Sequence, residues 1–188
     1  MMAFIALLRA VNVGGTGKLP MTELKAMCEA AGFQSVRTYI ASGNVVFQSK
    51  KTEAQVKAAL ERALAAYAGK PVGAMVRTAA EMAAVLAGNP FAAMPANLCV
   101  AIFLDEPAPA DALQHVSGQA HEQLRLGLRE IYGYYPAGQG ESKLKIPAAK
   151  NGTARNMNTV AKLAEMAAGI STTVEFVSNP GKMTKARA

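Results

Sequence analysis

The first part of the chain begins with a continuous apolar run, after which apolar residues recur with the period of a helix. A short apolar run at residues 3–9 predicts a buried strand, because it is too brief for a free-standing helix and ends in a glycine-rich turn. Apolar residues then recur at helical spacing over residues 20–32. Two strand-like segments follow at residues 36–40 and 45–48.

The two strand-like segments predict a hairpin, with Gly43 and Asn44 in the two central positions of its turn. Thr52 predicts the N-cap of a long amphipathic helix that ends at Gly69, and residues 72–77 predict the next strand. The resulting order of strand, helix, strand, strand, helix and strand is that of a ferredoxin-like unit.

The second part of the chain predicts a similar order after a short helix at residues 79–87. Prolines and a glycine then mark a break before residue 98. The pattern beyond this break predicts a strand, a helix, two strands, a helix capped by Thr153 and a last strand, at residues 98–104, 109–118, 123–128, 130–135, 153–169 and 174–177.

These elements predict an α+β fold built from two ferredoxin-like (βαββαβ) halves that lie side by side. A chain of 188 residues is long enough for both halves. The predicted divisions are an N-terminal half, a helical connection, a C-terminal half and a mobile tail, at residues 1–78, 79–97, 98–177 and 178–188.

Composition changes this picture only in its details. Hydrophobic residues make up 51% of the chain but aromatic residues only 6%, so aliphatic side chains must fill the core. Cys28 and Cys99 have apolar neighbours and no metal-ligand spacing, which indicates reduced core residues.

No apolar run approaches the roughly 18 residues of a membrane span, and residues 1–8 lack signal-peptide features. We therefore predict a cytoplasmic protein with no membrane partner.

The net charge of +7 is distributed in three blocks. Residues 1–78 carry ten Lys and Arg against four Asp and Glu, and residues 141–188 carry eight against three. Residues 79–140 are acidic, with two basic residues against six acidic ones. The two basic blocks favour an anionic partner, with nucleic acid among the candidates.

A glycine-rich turn follows the first predicted strand. Gly14, Gly15 and Gly17 lie within four residues, so their backbone N–H groups can point together at an anion. A phosphate-binding P-loop is excluded, because Leu19 follows Lys18 where Ser or Thr belongs. The glycine spacing also fails to match the dinucleotide-binding fingerprint. The turn is therefore a candidate anion site without a nucleotidase signature.

Polar residues at the ends of the predicted elements are the remaining candidates for ligand contact. Arg9 is the strongest of them, because a charge at the end of an apolar strand must be paired, exposed or used. We predict that the glycine-rich turn and the start of the last helix approach one another to form one site. The predicted ligand-binding residues are Arg9, Asn12, Gly14, Gly15, Lys18, Ser42, Asn44, Arg155, Asn156 and Asn158.

Several motifs agree in order and spacing with one known family. They are residues 9–15, Met21 and Leu24, residues 32–33, 38–47 and 153–160, and residues 162–163. On these motifs the chain resembles the bacterial domain of unknown function family 1697. The resemblance covers nearly the whole chain but implies no activity. Met157 stands where relatives have a tryptophan, so no stacking role is transferred to that position.

The residues leave three classes of function open. Because no Ser/His/Asp or Cys/His set is apparent, hydrolytic and metal-dependent catalysis have little support. We predict no cofactor and no metal site. The leading hypothesis is a module that binds nucleic acid or another phosphate-containing anion at the glycine-rich loop. The alternatives are an enzyme acting on a phosphorylated small molecule or nucleotide, and a protein-interaction module.

Overall fold

The computed structural model describes residues 1–12 and 18–177, with side chains described as far as residue 171. These residues form two four-stranded sheets and four α-helices. The first sheet has the strand order β2-β3-β1-β4, and the second has the order β6-β7-β5-β8. Adjacent strands in both sheets are antiparallel. The α+β class is therefore confirmed. The glycines at positions 14 and 15 and the tail at 178–188 lie outside the described residues.

The first sheet and its helices come from the first part of the chain, in the order strand, helix, strand, strand, helix, strand that the sequence predicts. Their bounds are β1 (Met2–Leu8), α1 (Met21–Ala30), β2 (Gln34–Tyr39), β3 (Asn44–Ser49), α2 (Glu53–Ala68) and β4 (Ala74–Thr78). The remaining bounds are α3 (Ala79–Ala87), β5 (Cys99–Phe103), β6 (Gln123–Leu126), β7 (Glu130–Tyr134), β8 (Thr153–Asn156) and α4 (Met157–Val177).

The apolar run of β1 makes this strand the centre of the fold. It pairs with β3 on one side and β4 on the other, and its side chains alternate between two cores because successive residues of a strand face opposite sides. Phe4, Ala6 and Leu8 face the core formed with α1 and α2. Ile5 and Leu7 face a central core that also contains residues of α3, β5 and α4. The two halves of the chain therefore share one hydrophobic core.

Local signals place the ends of α2 and α3 as expected. The Thr52 side chain accepts a hydrogen bond from the backbone N–H of Gln55, whose own side chain bonds back to the Thr52 N–H. Gly69 ends α2 with a φ of 67°, a left-handed conformation that suits glycine. Thr78 and Glu81 form the same reciprocal cap at the start of α3. These boundaries depend on neighbouring residues alone.

The hairpin turn differs from the prediction. Tyr39 pairs with Asn44, so Asn44 is the first residue of β3 and does not occupy a central turn position. Gly43 has a φ of 82°, and a Cβ atom there would clash with Val11 and lie 2.9 Å from the Leu8 Cβ. The turn is therefore shaped by its packing against the end of β1, which a two-residue hairpin rule does not include.

The second half lacks the predicted βαββαβ order, because one predicted helix and one predicted strand do not form at their positions and one strand forms where a helix start was predicted. The helix expected at residues 109–118 is reduced to one 3-10 turn at Ala112–His115, because Ser117 pairs with Lys145 in an isolated antiparallel bridge. The strand expected at residues 174–177 belongs to α4. The apolar spacing of Met157, Val160 and Leu163 continues through the later turns of this helix, which carries it past the predicted end.

Residues 153–156 form β8, although the sequence predicted them as a helix start with Thr153 as its cap. Thr153 and Arg155 are buried while Ala154 and Asn156 are partly exposed, which is the alternation of a strand. One edge of β5 is not covered by β7, and β8 pairs with that edge through four residue pairs. The helix then begins one turn later than predicted, and its Asn156 side chain accepts from the Thr159 N–H at 2.9 Å.

Two buried arginines join the sheets in opposite directions. Arg77 on β4 donates to the carbonyls of Leu104 and Arg129 in the second half, each at 2.7 Å. Arg155 on β8 donates to the carbonyl of Leu8 in the first half at 2.9 Å. Each half of the chain therefore supplies one guanidinium group to the backbone of the other half. No helix among the described residues is both long and apolar enough to cross a membrane.

Candidate anion-binding cleft

A cavity of about 480 Å³ opens where β1 ends and β4 begins. We call it the basic cleft. Three cationic side chains, one aromatic ring and several apolar side chains line it, and the described residues that define it are Arg9, Lys18, Lys70, Tyr67, Val11, Leu19, Leu64 and Val72. They come from the end of β1, the segment before α1, the last turn of α2 and the connection to β4.

Arg9 is fixed at the base of the basic cleft by the first sheet. Its backbone N–H donates to the carbonyl of Gly73 at 2.9 Å, which extends the pairing of β1 with β4 by one step. Its side-chain Nη2 donates to the carbonyl of Lys150 at 2.9 Å. A guanidinium group has five N–H donors, so this bond positions the group and uses one of them.

The charges around the cleft are unbalanced. None of Arg9, Lys18 and Lys70 forms an ion pair with a described carboxylate. The carboxylate of nearby Glu61 lies 3.0 Å from the Lys57 ammonium and accepts the Ala74 N–H, so it is already occupied.

The last turn of α2 also lines the cleft, and a helix C-terminus carries about half a negative charge. This partial charge is smaller than the three formal positive charges.

Arg155 lies beside the end of β1 but not in the basic cleft. It is buried, and its Nε donates to Asn44 Oδ1 at 2.6 Å while its Nη1 donates to the Thr153 hydroxyl at 2.8 Å. Its Nη2 reaches the carbonyls of Leu8 at 2.9 Å and Ser42 at 3.0 Å. Burial lowers the pKa of Arg155 to about 10, because the charged form loses its hydration. Its donors are directed at the protein itself.

Ser42 and Asn44 belong to the same network. The Asn44 amide donates to the Tyr39 carbonyl and to the Ser42 hydroxyl, each at 3.0 Å, and its oxygen accepts from Arg155. Asn44 is fully buried. Residue 155 therefore lies beside the end of β1, where it forms a buried connection between the two sheets. The predicted approach of the glycine-rich turn to this segment lies outside the described residues and stays a prediction.

Asn12 connects the end of β1 to the segment before α1 and to the hairpin turn. Its amide nitrogen donates to the carbonyls of Leu19 at 2.9 Å and Ala41 at 2.7 Å, and its oxygen accepts the Leu19 N–H at 2.7 Å. Its φ of 56° lies in the left-handed region, which Asn tolerates better than most residues. Asn12 thus holds Leu19, and with it the neighbouring Lys18, next to the end of β1.

The other predicted site residues are distributed elsewhere. Asn156 caps α4 through its bond to the Thr159 N–H, and Asn158 is exposed on the first turn of that helix. Gly14 and Gly15 lie outside the described residues. Of the predicted set, the structure brings Arg9 and Lys18 together in the basic cleft.

Tyr67 and Lys70 were missed as site residues, although the sequence carries a signal for them. A ferredoxin-like unit, which the element order predicts, has its fourth strand beside its first, and antiparallel pairing places the residues before β4 opposite those after β1. The observed pairing of Leu8 with Ala74 does this. The connection that holds Lys70 therefore lies at the same sheet end as Arg9.

The titratable side chains of the cleft are three cations and one tyrosine. Its described lining contains no His, Cys, Asp or Glu. Burial raises the pKa of the Cys28 thiol to about 12, and Cys99 is buried as well. Within the described part of the chain, no group of three or more His, Cys, Asp or Glu is placed to hold a metal ion.

Comparison with known proteins agrees with the sequence resemblance. The family described as "Protein of unknown function (DUF1697)" matches residues 1–132, which include every residue of the basic cleft. The chain belongs to the DUF1697 family. No curated protein matches it in sequence.

The solved structure of conserved bacterial protein SP0830 from Streptococcus pneumoniae is similar to this DUF1697 chain, with a TM-score of 0.73 and 25% sequence identity. That match covers 88% of this chain and 98% of SP0830.

Proposed function

We propose that this DUF1697 protein binds a phosphate-containing anion in the basic cleft. The observation that carries the proposal is the convergence of Arg9, Lys18 and Lys70 on one cavity, where they have no described carboxylate partner. Three like charges repel one another in the empty cleft, and an anion relieves that repulsion.

Arg9 distinguishes this cleft from an ordinary solvated face. Exposed lysines are common on protein surfaces and contribute little to any site by themselves. Arg9, however, is half-buried; its backbone N–H is bonded to Gly73, and its guanidinium donates one hydrogen bond, to the carbonyl of Lys150. A planar guanidinium held in this way loses little rotational freedom when it pairs with a phosphate oxygen.

The proposal assigns different roles to the predicted site residues. Arg9 and Lys18 contact the ligand, and Lys70 joins them. Arg155, Ser42, Asn44 and Asn12 hold the fold around the cleft, because their polar groups are directed at protein partners. A contribution of Gly14 and Gly15 stays a prediction.

We also propose, on element order and strand order, that residues 1–78 form a ferredoxin-like unit joined through residues 79–97 to a C-terminal half at 98–177. A cytoplasmic location is part of the same proposal.

The test compares Arg9→Met with Arg37→Met. Arg37 is exposed on β2, the strand at the opposite edge of the first sheet, so its replacement removes the same charge away from the cleft. We expect Arg9→Met to weaken pyrophosphate binding about tenfold, since a charge-assisted hydrogen bond contributes about 1.5–3 kcal/mol. Arg37→Met is expected to leave the affinity unchanged. Isothermal titration measures both, and thermal melting checks that the variants fold.

Equal affinities for Arg9→Met, Arg37→Met and the unchanged protein would contradict the proposal. A large fall in melting temperature for Arg9→Met without any binding defect would assign Arg9 a structural role instead. Arg9→Lys refines the result: it keeps the charge and loses the planar fork, so a fall in affinity there indicates a bidentate contact.

A further inference from the structure

We infer that the basic cleft takes a mononucleotide, with its phosphate group at the cations and its base against the ring of Tyr67. This inference rests on the proposed anion binding and adds the class of ligand. It depends on three features of the cleft that inorganic phosphate alone does not use: its apolar wall, its aromatic ring and its volume.

The first feature is the apolar wall. Val11, Leu19 and Leu64 line the cleft and are all more than nine-tenths buried, so they form a fixed surface beside the cations. Small-molecule sites combine such apolar lining with a few polar groups that set the orientation of the ligand. A ligand that uses the whole cleft therefore has an apolar or planar body next to its anionic group.

The second feature is the exposed ring of Tyr67. This residue lies on the last turn of α2, lines the cleft and is 47% exposed. An aromatic ring beside cations is the combination that binds nucleotides, because the ring stacks on the base while the cations pair with the phosphate. Lys70 follows three residues later, so the ring and a cation are held by one short segment.

The third feature is the volume of the cleft, together with the way its three charges converge. A volume of about 480 Å³ falls within the range of small-molecule sites. Arg9, Lys18 and Lys70 come from three separate chain segments and converge at one sheet end. A nucleic acid strand is instead tracked by cations that follow its backbone along a groove. The convergence favours a single nucleotide over a polymer.

The lining also predicts the selectivity. Dinucleotide-binding folds read the ribose hydroxyl with an acidic side chain, and the described lining of this cleft has none. Stacking on an aromatic ring tolerates every base, because every base has a planar face. We therefore expect AMP and dAMP to bind alike, and purine nucleotides to bind somewhat more tightly than pyrimidine nucleotides.

The experiment titrates AMP and ribose 5-phosphate into the unchanged protein, Tyr67→Ala and Tyr67→Phe. We expect AMP to bind the unchanged protein about tenfold more tightly than ribose 5-phosphate. Tyr67→Phe keeps the ring and is expected to keep this difference. Tyr67→Ala is expected to abolish it while leaving the affinity for ribose 5-phosphate unchanged, because the cations remain.

A readout on the unchanged protein covers the case in which Tyr67→Ala fails to fold. Nuclear magnetic resonance should show the ring signals of Tyr67 shifting with AMP and not with ribose 5-phosphate. Equal affinity for the two ligands, or an unperturbed Tyr67 ring, would overturn the mononucleotide inference and leave anion binding in place. Failure of pyrophosphate, ribose 5-phosphate and AMP alike to bind would overturn the proposed function itself.

A further titration uses a single-stranded oligonucleotide in place of AMP. Tight binding of oligo(dT) that falls steeply with added salt, in the absence of AMP binding, would indicate a polymer ligand and overturn the mononucleotide inference. We expect the reverse order, with AMP bound and the oligonucleotide bound weakly.

Discussion

Arg9 and Arg155 are two arginines at the same end of β1 with opposite environments. Arg155 donates to the carbonyl of Leu8, the residue next to Arg9 in the chain. Arg155 is buried, and its guanidinium meets only hydrogen-bond acceptors of the protein among the described residues. Arg9 is half-buried and borders an open cleft.

The difference shows that a polar motif does not by itself indicate a ligand site. Three residues that stand out in the sequence are Asn12, Asn44 and Arg155. Their side chains connect chain segments whose backbone groups need hydrogen-bond partners. Buried carbonyls that lack a ladder partner require a donor, and a guanidinium group supplies several at once. We instead expect the ligand site where a cation has hydrogen-bond donors that no acceptor of the protein uses.

The largest expected effect is the loss of stability in Arg155→Met. The change leaves Asn44 Oδ1 and the carbonyl of Ser42 without their donor, and it leaves the carbonyl of Leu8 with only a long bond from the Thr153 hydroxyl at 3.4 Å. Because each unsatisfied buried group costs about 1–3 kcal/mol, we expect a loss of about 3 kcal/mol in the free energy of unfolding. Urea unfolding followed by circular dichroism measures it.

Pyrophosphate affinity of the folded fraction of Arg155→Met separates the two arginines further. It is expected to match that of the unchanged protein, since Arg155 does not line the cleft. A stable Arg155→Met variant with lost anion binding would reverse the roles that we assign to Arg9 and Arg155.

An intermediate effect is expected for Asn12→Ala, which acts on both regions. The variant loses three hydrogen bonds to Leu19 and Ala41 and places alanine at a positive φ. We expect a loss of about 2 kcal/mol in stability, because two of the bonds are partly buried, one is exposed, and each contributes about 0.5–1.5 kcal/mol. Pyrophosphate affinity is expected to fall severalfold, since Lys18 is no longer held beside Arg9.

Asn158→Ala is the matched control, because Asn158 is exposed on the first turn of α4 and outside the cleft lining. Urea unfolding and titration calorimetry are run on both variants. If Asn12→Ala lowers stability and leaves the affinity intact, Lys18 does not depend on the Asn12 contacts for its place in the cleft.

The smallest expected effect is that of salt. Salt should weaken the ligand contact of Arg9 and leave the stability contribution of Arg155 unchanged. Raising NaCl from about 50 mM to about 500 mM is expected to weaken pyrophosphate binding severalfold, because exposed charges are screened. The stability difference between Arg155→Met and the unchanged protein is expected to stay constant, since buried groups are screened much less. A salt-independent affinity would argue against ionic contact in the basic cleft.

Much of the fold follows from short-range features of the sequence. The Thr52 cap, the end of α2 at Gly69 and the helix at residues 79–87 depend on residues within one or two turns, so they were predicted correctly. Residues 153–156 were not, because their own preference for a helix start competes with the unpaired edge of β5. Pairing with that edge provides hydrogen bonds that lie about 50 residues away in sequence and that no local rule includes.

The sequence by itself determined the α+β class, the family, the element order of residues 1–78 and the presence of Arg9 and Lys18 beside a glycine-rich turn. Only the tertiary structure decided which polar residues are used internally and which face a cavity. That decision depends on burial, and the burial of Arg155 results from the contact of two sheets formed by distant parts of the chain. Tyr67 and Lys70 join Arg9 for the same reason. Antiparallel pairing places the end of β1 beside the start of β4, and these strand ends are about 60 residues apart in sequence.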